Sequence, residues 1–198
     1  MCRKSVDPNY FVELYRRERD PWNFENSAYE REKYEHSLSV LRDFYDSALE
    51  IACSIGVFTE RLAARCRRLL AMDVSPEAVE IAKARCSHLS SVEFSVGGVP
   101  FDFPCERKFD LVTFCEVGFY LNSADLRATR DAIVRSLLPN AQVLLVHWTP
   151  RVRGHATTTE EVHEAFASVP RLRLISHHDA QTYRLDLFAN EQSGYQDS

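Results

Sequence analysis

The chain has 198 residues, 45% of them hydrophobic and 27% charged, with a formal net charge of -5. That length supports one domain whose core needs no disulfide or metal staple. Its acidic balance, with basic residues scattered among acids, gives no attraction to nucleic acid or an anionic membrane.

Six cysteines form no C-x-x-C pair, so zinc, redox and disulfide motifs are unsupported and no metal site is expected. The opening residues lack the apolar core of a signal peptide, and no apolar run reaches the roughly 18 residues a membrane span needs. A cytoplasmic location is therefore expected.

In chain order, residues 10–19 carry a charged helical opening that Asp20-Pro21-Trp22 breaks. Asn26 or Ser27 can cap a second helix through about Phe44, with Tyr34, Leu38 and Leu41 as its apolar stripe. Strand and helix then alternate. Strands are expected at 48–53, 68–73, 92–96, 109–115 and 142–148, with helices at 57–66, 75–88 and 123–138. A helix at 159–168 and two strands at 171–177 and 182–189 follow, the strands suiting an antiparallel edge. The pattern predicts an α/β protein: a Rossmann-like, doubly wound, seven-stranded and mostly parallel sheet flanked by helices. One domain over 1–198 is expected, with its core at 47–190 and a frayed end at 191–198.

Residues 47–62 read as an apolar strand, a tight loop of small residues and a helix, and 69–73 as a second strand ending in Asp73. In a doubly wound sheet such a loop approaches a nucleotide closely, and the acid accepts hydrogen bonds from ribose hydroxyls. Gly56 lets the backbone pass near the ligand. A dinucleotide fingerprint needs small residues at 52, 54 and 57, and Val57 counts against it.

The spacing Ala52-x-Ser54-x-Gly56, with Glu50 inside the strand, resembles the first motif of S-adenosylmethionine-dependent methyltransferases, Ala52 and Ser54 standing where that family usually has glycine. Asp73-Val74 fits its ribose position, Gly97-Gly98-Val99 its adenine loop, and residues 114–121, with Cys115, the loop beside the methionine part. Residues 137–142 resemble the family's Leu-x-Pro-Gly-Gly turn without the glycines.

A closer resemblance is to the NodS-like methyltransferases. It rests on Asp20-Pro-Trp22, Tyr29-Glu-Arg-Glu-Lys33, the Glu50–Gly56 loop, Cys115-Glu-Val117 with Tyr120-Leu121, and Val146-His-Trp148, in order over residues 20–150. Gly118 and Phe119 stand where Leu-Tyr is more usual.

This resemblance implies S-adenosyl-L-methionine as cofactor and residues 1–46 as a helical lid over it. Within that lid, Arg31 would pair with the cofactor carboxylate and Trp22 would wall the site. It also implies N-methylation of a small-molecule acceptor, such as an amino sugar or a lipo-chitooligosaccharide precursor. O-methylation of a hydroxyl, a binding module without chemistry, and a nicotinamide oxidoreductase are the alternatives.

Glu116 and His147 end strands that open on one mouth, so a carboxylate could orient the acceptor amine while an imidazole takes its proton. Tyr120 would contact the acceptor. Each residue also has a plainer role. Glu50 could be a core acid paired to Arg31 or Lys33, and Asp73 a helix cap. Trp22 could be a packing aromatic, His147 a satisfied core histidine, and Glu116 a contact without proton chemistry. His177-His178-Asp179 reads as solvated edge residues. Oligomeric state stays open.

Overall fold

Local capping decides where the helices begin. In the computed structural model, which describes residues 4–152 and 154–191, Asp7 accepts the Asn9 amide at 2.9 Å and Pro8 takes the first helical position. Helix α1 therefore runs Pro8–Arg17, two residues earlier at each end than expected. The expected frayed tail lies outside the described residues beyond Glu191.

Ser27 caps α2 (Ala28–Ser39). This helix stops short of Phe44 because the Arg65 guanidinium donates to the carbonyls of Leu38, Leu41 and Arg42, satisfying groups that another turn would have used.

The strands are β1 (Ala48–Ile51), β2 (Leu69–Asp73), β3 (Val92–Val96), β4 (Phe109–Cys115), β5 (Leu137–Trp148), β6 (Leu172–Asp179) and β7 (Tyr183–Asn190), and they order as β3-β2-β1-β4-β5-β7-β6. The first five are parallel, and β7 and β6 add the antiparallel edge. This is the seven-stranded Rossmann-like sheet the alternation predicts. Helices α3 (Val57–Leu62), α4 (Pro76–Arg85), α5 (Ser123–Ser136) and α6 (Thr159–Ala167) fill the crossovers and the last connection.

Strand β5 starts five residues before its expected position: Leu137 pairs with Phe109, a bulge follows, and Asn140 takes the left-handed conformation (φ 59°).

Successive residues serve opposite faces. Leu49, Ile51, Val143 and Leu145 pack with Ile133 of α5 and Phe166 of α6. Ala48, Leu144 and Val146 pack with Leu41, Phe58 and Leu62 on the other side. Among the described residues, no helix is long and apolar enough to cross a membrane.

Candidate active site

Strand order reverses between β1 and β4, which opens a crevice at their carboxyl ends. Residues after β1, β2, β4 and β5 line a cavity of about 350 Å³ there, and α1, α2 and the segment between them cover it.

On one side the loop after β1 folds through three left-handed residues, Ala52 (φ 62°), Ser54 (φ 52°) and Gly56 (φ 80°). Asp73 braces this loop: its Oδ2 accepts the Ser54 amide and its Oδ1 the Ser75 amide, each at 2.9 Å. Burial pushes its carboxyl up, against those amides. Tyr15 of α1 reaches the same loop, its hydroxyl 2.5 Å from Ser54 Oγ. A side chain at Gly56 would meet Ala82 at 2.9 Å, so that glycine serves the close packing of α3 on α4.

The other side is charged. Lys33 Nζ donates to Glu116 Oε1 at 2.6 Å and to Glu30 Oε1 at 3.0 Å, while Glu116 Oε2 accepts the Trp148 amide at 2.9 Å. Burial works against the Lys33 charge, yet Glu116 and Glu30 hold its ammonium above the ordinary value. Burial likewise raises Glu30, with Lys33 opposing. Aromatic rings enclose this end. Trp22 stacks on Phe24, Tyr120 meets Phe11 edge-on, and His155 lies flat on Phe119 at 4.1 Å. Burial lowers the affinity of His155 for a proton and raises the phenol of Tyr120.

The expected residues separate into two groups. Trp22, Ala52, Ser54, Asp73, Val74, Cys115, Glu116 and Tyr120 meet in the cavity wall. Arg31 is exposed on α2 and outside that wall; the cavity's cation is Lys33, two residues on.

Glu50 sits beneath the loop, 4% exposed, without a salt-bridge partner among the described residues and with Oε2 unbonded; the pairing to Arg31 or Lys33 is not made. Burial pushes its carboxyl up to about 8, against the Thr59 hydroxyl.

The turn at Gly97 and Gly98 lies outside the wall. Gly97 donates to the Asp73 carbonyl, Gly98 to the Asp102 carboxylate, and Val99 packs on the core. His147 departs furthest from expectation: it is fully buried, absent from the wall, and bonded at both ring nitrogens, to the Gly118 amide and to His163.

Reading the sequence missed Lys33, Glu30 and Tyr15 as wall residues; only the 30–33 spacing, one helical turn, hinted at a buried pair. His177 is held by Asp186 and Asp179, and no group of three or more potential ligands that could hold a metal occurs among the described residues.

Residues 9–183 match the family model of Nodulation protein S (NodS). The chain is 32% identical over 186 residues to Nodulation protein S of Rhizobium tropici, covering 88% of this chain and 77% of that one. With Nodulation protein S of Bradyrhizobium diazoefficiens it shares 34% over 152 residues, 72% and 71% of the two chains. Among solved structures it superposes on the N-methyltransferase NodS of Bradyrhizobium japonicum WM9 in complex with S-adenosyl-L-homocysteine, with a TM-score of 0.83 and 25% identity over 94% of this chain and all of the other.

Proposed function

The chain belongs to the Nodulation protein S family of S-adenosylmethionine-dependent methyltransferases, and we propose that it methylates the amine of a small polar acceptor, an amino sugar in particular. The observation that carries this reading is that one cavity wall holds both Asp73 and the Glu30–Lys33–Glu116 cluster.

The wall fits the cofactor. Each Asp73 oxygen accepts one backbone amide, which leaves acceptor capacity for ribose hydroxyls. Ala52, Ser54, Val74 and Cys115 supply small or apolar neighbours. Bound cofactor supplies a methyl group already activated by its sulfonium charge.

The chain's own work is placement and water exclusion, and good alignment is worth roughly 7–11 kcal/mol of barrier. Glu116, fixed by Lys33 and the Trp148 amide, offers its remaining lone pairs to the acceptor N–H groups. Glu30 adds a second carboxylate, and Tyr120 closes the wall. His155 is the imidazole in the wall, placed to receive the proton the amine releases.

A second cavity of about 600 Å³ adjoins the first through Trp148, Val152 and His155, with Thr149, Arg151 and Thr158 in its lining, room for the body of a larger acceptor. A hydroxyl acceptor would demand a stronger base than this wall holds.

The test is methyl transfer to a glucosamine oligomer with one free amine, to its fully N-acetylated counterpart and to simple hydroxyl acceptors. Transfer only to the free amine is expected, with Glu116→Gln lowering kcat by about tenfold or more while S-adenosylhomocysteine still binds. Label on a hydroxyl, or full activity in Glu116→Gln, would overturn the reading.

A further inference from the structure

Behind the cavity runs a chain of buried polar groups that the chemistry above leaves unused. The Gly118 amide donates to His147 Nε2 at 3.1 Å. His147 Nδ1 lies 3.1 Å from His163 Nε2, and His163 Nδ1 lies 2.7 Å from Asp186 Oδ2. Both rings and Asp186 are 0% exposed. Four elements contribute: the turn after β4, β5, α6 and β7.

The two ends of this chain fix every proton between them. A backbone amide can only donate, so His147 Nε2 is bare and its proton sits on Nδ1. That proton must go to His163 Nε2, which puts the His163 proton on Nδ1, facing a carboxylate that can only accept. Arg184 and His177 hold the same carboxylate from outside, at 2.8 Å and 2.6 Å. Burial opposes its charge, but His163 and His177 keep Asp186 well below the usual carboxylate range. Both histidines are thereby locked in the Nδ1–H tautomer, the reverse of what free histidine favours.

What the bare nitrogen holds is the turn that forms the floor of the cavity. Gly118 follows Glu116 by two residues and Tyr120 follows it by two more. The turn packs so closely on α6 that a side chain at Gly118 would meet Val162 at 2.6 Å and His147 Nε2 at 3.0 Å. Its carbonyls are also held from below, Gly118 by the Thr157 hydroxyl and Phe119 by the amides of Ala156 and Thr157. The Gly118 amide has His147 alone as its acceptor among the described residues.

We propose that His147 is a positioning residue: the His163–Asp186 relay presents its bare Nε2 to the Gly118 amide, and so sets the turn that aims Glu116 and Tyr120 into the cavity. This assignment rests on the methyltransferase reading of that cavity but is testable apart from it.

Nitrogen–proton correlation of the imidazoles should find His147 and His163 both protonated at Nδ1, and hydrogen exchange should find the Gly118 amide protected. For turnover, His147→Gln places a carbonyl oxygen near Nε2, whereas the shorter His147→Asn reaches only the Nδ1 side. The Gln variant should stay within about threefold of wild type. The Asn variant should lose on the order of a hundredfold in kcat, as misplaced groups do, with unchanged affinity for S-adenosylhomocysteine. His163→Phe, which keeps the core filled while removing the acceptor for His147, should show the same loss.

Wild-type kcat in His147→Asn, or a Gln variant as impaired as Asn and missing the acidic limb of the pH profile, would overturn the proposal. So would an Nε2–H tautomer at His147. If wild type methylates no amine, the functional reading fails, and the tautomers and Gly118 exchange still decide this one.

Discussion

Glu50 shares its strand face with Ala48 and meets α3 without a cation. Its ordinary value of 4.5 rises to about 8 on burial, so the folded chain keeps a proton that the unfolded chain releases. The sign follows: stability falls as pH climbs from about 4.5 to about 8, and the loss is complete above that. Glu50→Gln should therefore gain in melting temperature over wild type progressively across this window and level off above it. The recovered stability is on the order of a few kcal/mol, each worth roughly 2–4 °C in a chain of this size. A difference independent of pH would refute it. Asp73 was legible in the sequence because an acid ending an apolar strand has one obvious place in such a sheet. Lys33 was not, since the carboxylate that fixes it, Glu116, lies 83 positions away. For His147 the strand end was legible but the ring orientation was not, because α6 and β7 set it.

Helical phase explains the exchange of Arg31 for Lys33. The apolar stripe of Tyr34, Leu38 and Leu41 pointed to one buried face of α2, yet the residues most buried along it are Glu30, Lys33 and Ser37, a polar face turned to the cavity and the core. Arg31 is two residues from Lys33, most of a half-turn away, and meets solvent. Helix α1 shows the reverse case. Its caps were written locally, but its docking rests on Tyr15 and Ser54, on the Val6 amide at the Tyr120 carbonyl, and on Arg16 with Glu77. Tyr15→Phe removes only the first of these. It should weaken S-adenosylhomocysteine binding about three- to tenfold, the worth of one hydrogen bond, and lower the melting temperature by no more than about 5 °C. Calorimetric titration checks this; unchanged affinity would mean that α1 does not brace the loop for ligand.

At the scale of the molecule, strand alternation made the sheet and its crevice readable, whereas the cover over the crevice depends on contacts between α1, α2 and strand ends far along the chain. Of the covering elements, α1 enters only the small cluster of Tyr15, Ile55 and Ala78, so it belongs to the less stable part of the structure. Hydrogen exchange with saturating S-adenosylhomocysteine should slow α1, α2 and the turn at 116–120 most, and the β6–β7 edge least; uniform slowing would argue against a cover that responds to ligand. The loop beneath that cover has one more consequence. Alanine and serine, not glycine, occupy its left-handed positions 52 and 54, each at a cost of about 1 kcal/mol. Glycines would leave a loop free to wander until ligand ordered it. This chain meets that entropy loss when it folds, so cofactor capture should carry an unusually small entropic penalty.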